Sequence, residues 1–322
     1  MSILQNPYGF PVSETFSEPY SEAAIKYLER SKSPNTVKAY KSDWSDFVHW
    51  CKDHKESPLP ASPKTVVNYL SELAEGYLCA NTISRRLTAI SEAHRLAKQM
   101  PPILHPDVRA VMTGIRKTKG THQQGKAAIL FDDLQDIQFS FPDNLTGLRN
   151  RALILLGFSG AFRRSELVSL NVEHLTFMSQ GLQIFLARSK SDAEGKGSYL
   201  GINALRTSAY CPVAAVRAWL KAGGLKSGPL FRPISKAGTI SERRLTDRSV
   251  ANIVKEWALI NGLDPDIYSG HSLRRGFATS AAISGASTKE IMKQTRHRSE
   301  KMANRYIAEG TIFERNGWER LE

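Results

Sequence analysis

Cysteine is scarce in this sequence, and long apolar runs are missing. Only three cysteines occur in 322 residues, Cys51, Cys79 and Cys211, far apart and in no spacing that suits a metal ion. That argues against a disulfide scaffold or a zinc ribbon, and for reduced, structural thiols in a cytosolic protein. No stretch approaches the roughly twenty uninterrupted apolar residues that a membrane helix needs. The first residues, Met1 to Glu22, are polar, acidic and Pro/Ser-bearing, without the basic-then-apolar order of a signal peptide. No glycine-rich phosphate loop and no carboxylate metal cluster stands out. Internal repeats and low-complexity runs are lacking too.

What the chain does have is positive charge. Forty-four Lys and Arg against thirty-one Asp and Glu leave a net charge of +13. A surplus of this size favours a polyanionic partner through counterion release. On charge alone, a basic protein that binds no nucleic acid is an equal reading. Hydrophobic residues make up 41% of the sequence, enough for two ordinary domains, each with its own core.

The patterning divides the chain. Residues 1–20 read as a flexible tail, and 21–116 as an all-helical domain. There, Val37, Tyr40, Trp44, Phe47, Val48 and Cys51 recur at steps of three and four over Pro34 to Lys55. Ser62-Pro63 reads as cap and first-turn proline of a second helix. A third spans Asn81 to Lys98, with Ile83, Leu87 and Ile90 inward and Arg85, Arg86 and Lys98 outward. Pro106 to Lys117 makes a fourth. Residues 117–128, basic and Gly-bearing, read as an exposed linker. Residues 129–307 form a second, mostly helical domain. Its one small antiparallel sheet pairs Leu182–Leu186 with Ser198–Ile202 across a polar loop. Residues 308–322 remain as a C-terminal tail. The fold class is therefore mainly α.

Several polar residues sit where a purely structural role is strained. Arg163 and Arg164 end the apolar run Ala152 to Phe162, with Glu166 one helical step further on. A helix-end ion pair explains them as well as a ligand site does. His271 and Arg274, three apart at a helix start, can hold an anion together. Alone, His-x-x-Arg is more often chance. Lys190 lies on the strand-to-strand loop, where a lysine is usually just solvated. His297 and Tyr306, nine residues apart, are singly an exposed histidine and a core tyrosine. The combination is different in kind. Cations can neutralise a phosphate, His and Lys can move protons, and tyrosine can bond covalently to phosphorus.

In order and spacing, Gly160-Ala-Phe-Arg163-Arg-Ser-Glu166-Leu, Arg188-Ser-Lys190, Ser269-Gly-His271-Ser-Leu-Arg274 and His297-Arg-Ser…Asn304-Arg-Tyr306-Ile resemble the tyrosine recombinase, or phage-integrase, family, and within it the Cre-like members. The likeness covers the whole second domain, and the first domain resembles the family's core-binding domain. Two departures stand out. Thr295-Arg296-His297 replaces the family's common Leu-Gly-His, and Arg164 follows Arg163 where glycine is common.

The resemblance implies site-specific recombination through a 3′-phosphotyrosine and a Holliday junction, with neither ATP nor metal and no other cofactor. It implies Tyr306 as nucleophile, with Arg163, Arg274 and His297 on the non-bridging oxygens. Lys190 becomes the acid for the leaving 5′-oxygen, His271 a proton-transfer partner and Glu166 an orienting residue. The expected partner is double-stranded DNA carrying an inverted repeat. The helix bearing Arg85, Arg86 and Lys98 would enter a groove, and Arg248 would read a base. The tail, with Ile312, Phe313, Trp318 and Leu321, would dock on a neighbouring protomer of a homotetramer. With about twenty residues before the first domain, no arm-binding domain is expected. A cytoplasmic, DNA-associated location follows. Two alternatives remain open: a type IB topoisomerase or telomere resolvase, and a non-catalytic DNA binder of the same ancestry.

Overall fold

A computed structural model describes Tyr27 and residues 31–121, 125–137, 139–187, 196–207, 209–297 and 299–310. The chain divides into two compact units, Met1–Gln124 and Gly125–Glu322.

The first unit is helical: α1 (Pro34–Asp53), α2 (Pro63–Glu75), α3 (Ala80–Leu96) and α4 (Pro106–Lys119). Ser33 and Ser62 open α1 and α2, each accepting an N–H bond from a threonine three residues on, at 3.2 and 3.0 Å. Trp44, Phe47 and Cys51 from α1 meet Val66, Tyr69 and Leu70 from α2 and Ile83, Leu87 and Ile90 from α3 in one buried cluster. The α3 helix ends at Leu96, so Lys98 lies beyond it, in left-handed backbone with φ 55°. Of the three free cysteines, Cys51 and Cys211 are buried, whereas Cys79 at the start of α3 is exposed and supports no core.

The second unit is built on α5 (Leu145–Ser159). Every residue from Ala152 to Phe158 is buried, which is why this helix shows an unbroken apolar run and no amphipathic stripe. Against it pack α6 (Arg164–Ser169), α7 (Pro212–Ala222), α8 (Asp247–Ile260) and α9 (Gly270–Ile283), and α10 (Thr288–Thr295) and α11 (Glu300–Gly310) pack on α9. Among the described residues the sheet has three strands in the order β1 (Leu175–Phe177), β2 (Gly181–Leu186), β3 (Ser198–Asn203), antiparallel throughout. Leu182 opposes Ile202 and Ile184 opposes Leu200, so the alternation of both strands faces one core.

The segment expected as a free linker is shorter than its composition suggested. Its first residues continue α4 to Lys119, and its last are stitched to the second unit, Ala127 N–H donating to Ile267 O at 2.8 Å. Ile129 follows, donating to Ser272 O at 3.2 Å. Its backbone lies so close to α9 that a Cβ at Gly276 would collide with the Ile129 carbonyl. Among the described residues, no helix is long and apolar enough to cross a membrane.

Candidate active site

The site begins where α5 stops. Gly160 caps the helix, and Ala161 follows with φ 44°, a left-handed conformation that costs a non-glycine residue about 1 kcal/mol. The turn presents two carbonyls to arginines from distant segments. Arg274 Nη1 donates to Ala161 O at 2.7 Å, while Arg296 donates to Gly160 O at 3.0 Å and Ala161 O at 3.3 Å.

Arg163 then caps α6, and Glu166 closes the first turn. Glu166 is only 3% exposed. Its carboxylate accepts the Arg163 N–H at 3.1 Å, Arg163 Nη1 at 2.5 Å and Arg296 Nη2 at 3.0 Å. Burial pushes the carboxyl up, but Arg296 and the amide and guanidinium of Arg163 outweigh it and hold the group below the usual carboxylate range. Glu166 is thus a buried anion shared by two arginines. Arg164 points elsewhere: its aliphatic stem lies where a Cβ on Gly270 would sit.

The α9 helix carries the second pair. Ser269 caps it, accepting from the His271 N–H at 3.2 Å, with Ser272 answering the Ser269 N–H at 3.0 Å. Arg274 is 1% exposed, and its Nη2 is buried without a hydrogen-bond partner among the described residues. Burial, together with the guanidiniums of Arg163 and Arg296, pushes Arg274 down to about 9, so it stays charged at neutral pH. Desolvation and the charges of Arg274, Arg163, Arg164 and Arg275 lower His271, although the residue reaches the surface.

His297 stacks on Tyr306, ring centroids 5.6 Å apart and planes 18° from parallel. Tyr306 packs with Ala278, Ala282 and Ile291 from α9 and α10. Desolvation first, then Arg274 and Arg163, drop His297 to about 4. Its tautomer follows from Thr295, whose hydroxyl donates to Ile291 O at 2.7 Å and so has no proton left. The 2.9 Å contact is therefore His297 Nδ1–H donating to Thr295 Oγ1, leaving Nε2 with a lone pair. His297 must take up a proton at Nε2 before it can donate a hydrogen bond there.

Both histidines are neutral in the free protein at pH 7. Between about 4 and the ordinary 6.5, the unfolded chain binds more protons than the folded one, so stability falls as pH drops through that window. Thermal unfolding from pH 7 to 4.5 is expected to show a falling Tm, and His297→Gln to flatten part of the fall. An unchanged slope in the variant would contradict the His297 assignment.

The structure therefore gathers Arg163, Glu166, His271, Arg274, His297 and Tyr306 in one unit, from segments more than a hundred residues apart. Lys190 lies outside the described residues, as do residues 311–322. Arg296 was not among the expected residues. Its only signal was the departure from Leu-Gly-His. The expected DNA-facing residues differ among themselves. Arg248 is exposed in the first turn of α8. Arg85 is half-exposed but paired with Asp43 at 2.7 Å. Arg86 does not project outward as expected: it is largely buried, bonded to Asp46 and to Tyr69 Oη.

Comparison with known proteins gives the family and the fold. The Phage integrase family model matches residues 129–311, and the Phage integrase, N-terminal SAM-like domain matches 25–100. The chain is 48% identical to an Integrase/recombinase xerD homolog of Selenomonas ruminantium, covering 95% of this chain and 90% of that one. It is 26% identical to Recombinase cre of Escherichia phage P1, over 91% and 90% of the two chains. The Cre likeness is thus real but distant. In fold it is similar to the XerH site-specific recombinase bound to palindromic difH substrate, with TM-score 0.66 and 16% identity, over 93% and 82% of the chains. This chain belongs to the phage integrase family, the tyrosine recombinases, which break and rejoin DNA.

Proposed function

We propose that the chain is a site-specific DNA recombinase whose phosphate-binding centre is the Arg163–Arg274–His297 cluster and whose nucleophile is Tyr306. One observation carries the reading. Arg274 Nη2 is buried without a partner among the described residues, beside two further guanidiniums, which is costly unless an anion completes the site. The scissile phosphate supplies that anion.

In this mechanism Tyr306 Oη attacks phosphorus and the bond to the 5′-oxygen breaks, giving a 3′-phosphotyrosine and a 5′-hydroxyl. Lys190 delivers the proton to the leaving oxygen. His271, neutral at pH 7, is suited to take the proton of Tyr306. Arg163 and Arg274 neutralise the non-bridging oxygens, and the arriving charge raises His297 until Nε2 is protonated and donates as well. Rejoining reverses the steps with a 5′-hydroxyl as nucleophile, so the phosphodiester is remade without an external energy source.

The DNA site would be an inverted repeat bound by one dimer, with two sites paired in a tetramer through a Holliday junction. Residues 21–116 would act as the core-binding domain and 129–307 as the catalytic one. Arg85, Lys98 and Arg248 are the candidates for DNA contact, Arg86 less so. Residues 308–322 would dock on a neighbouring protomer. An apolar cavity of about 350 Å³ between β3, α5 and α9, lined by Phe131, Leu155, Phe158, Ile202, Tyr210 and Phe277, is of a size and character to take such side chains. Truncation after Ala308 is expected to abolish tetramers on DNA while single-site binding persists. Undiminished tetramers would sink that assignment.

The experiment for the whole reading is trapping on nicked suicide duplexes, drawn from sequences selected for binding. A denaturant-stable adduct, formed in EDTA, is expected. Specific binding without an adduct, at every nick position, would favour the non-catalytic DNA binder. Strand passage by a monomer would favour the topoisomerase-like alternative.

A further inference from the structure

We propose that Arg296 is a positioning residue that sets the reach of the phosphate-binding arginines by sharing Glu166 with Arg163. The inference rests on the recombinase reading and adds a residue to it.

Arg296 occupies a costly place. It caps α10 in left-handed backbone, φ 58° and ψ 40°, where glycine sits without strain and another residue pays about 1 kcal/mol. Its side chain is 11% exposed and lies over the Phe162 ring, 5.1 Å from the centroid. Its Nε is buried without a partner among the described residues. A strained backbone and a buried cation beside Arg163 are poor devices for stability.

What the guanidinium does is join three pieces of the site. It donates to Gln294 O at 2.8 Å at its own helix end, to Gly160 O and Ala161 O in the turn after α5, and to Glu166 in α6. Ala161 O also holds Arg274, so one turn is fixed against two arginines at once. Glu166 is the critical link. A buried carboxylate needs both oxygens satisfied. With Arg163 as its sole cation, Glu166 would draw that guanidinium onto itself in a bidentate pair. Arg296 takes Oε2, and Arg163 then engages Oε1 through Nη1. The remaining edge of Arg163 is left to the phosphate. The same segment continues into His297, so the third phosphate ligand is tied to the first.

The test is single-turnover cleavage of a nicked suicide duplex at saturating DNA, with the parental protein in the same assay. Arg296→Gly is expected to slow cleavage on the order of 10- to 100-fold, in keeping with misplacement of an oriented group. Its DNA dissociation constant should stay within about 3-fold of the parent, and Arg296→Lys should recover part of the rate. Combined with Glu166→Gln, the double variant should lose no more than the worse single, because both act through one carboxylate. Parental cleavage by Arg296→Gly, multiplication of the two losses, or a loss confined to DNA affinity would each overturn the inference. Should Arg296→Gly fail to fold, Arg296→Lys, which keeps the charge and loses the fork, is expected to cleave more slowly than the parent at unchanged DNA affinity, and parental cleavage by it would overturn the inference. A parent that never cleaves overturns the recombinase reading and this inference together, whereas a cleaving parent with an equally active Arg296→Gly overturns the inference alone.

Discussion

Tyr306→Phe is expected to abolish the covalent protein–DNA adduct while leaving folding and specific DNA binding intact. Phenylalanine keeps the ring that stacks on His297 and packs with Ala278, Ala282 and Ile291. Only the hydroxyl oxygen is lost. With Tyr306 as the nucleophile, cleavage should fall by at least about 10⁴-fold, as expected when a nucleophile that works as part of a unit is removed. The dissociation constant for duplex DNA should move little, because the arginines remain. Residual adduct at the parental rate would show that another residue attacks.

Arg274→Gln should separate activity from stability. The guanidinium is held 1% exposed among Arg163 and Arg296, with Nη2 unpartnered among the described residues. In the free protein it is a buried cation facing like charges, a cost that an apolar or neutral side chain avoids. Glutamine can still donate to Ala161 O and remove the charge. Cleavage is expected to fall by about 10²- to 10³-fold, the usual loss when one preorganised donor to a developing oxyanion is deleted. Over the same substitution Tm should hold or rise. With Arg274 as a phosphate ligand, inorganic phosphate should raise the parental Tm and have little effect on the variant, because a ligand that binds the folded state stabilises it. A sharply lowered Tm with unaltered cleavage would mean that Arg274 serves the core.

Much of the fold was legible in the residues. The helices α1 and α2 announce themselves, the first through apolar steps of three and four and the second through its Ser62-Pro63 start, because burial and capping are local in sequence. Strands β2 and β3 show in their alternation. Strand β1 did not, since three residues carry no period. Arg86 was misplaced for a related reason: helical spacing puts it beside Arg85, but the side chains that cover it, Asp46 and Tyr69, come from other helices. The candidate site was readable as an order of residue types, and its scaffold was not. Ala161 at φ 44° has no signature of its own. The value of Arg296 comes from Glu166, 130 residues earlier, and no local pattern contains that pairing. The sequence did mark the spot, since a charged residue standing where glycine is common demands a partner.

The most direct test of the central claim is to locate the covalent bond. After trapping on a nicked suicide duplex in EDTA, the adduct is digested with nuclease and protease and the modified peptide is sequenced by mass spectrometry. The account predicts a nucleotide joined through its 3′-phosphate to Tyr306. A linkage to any other side chain, or a 5′-phosphate at Tyr306, would contradict it.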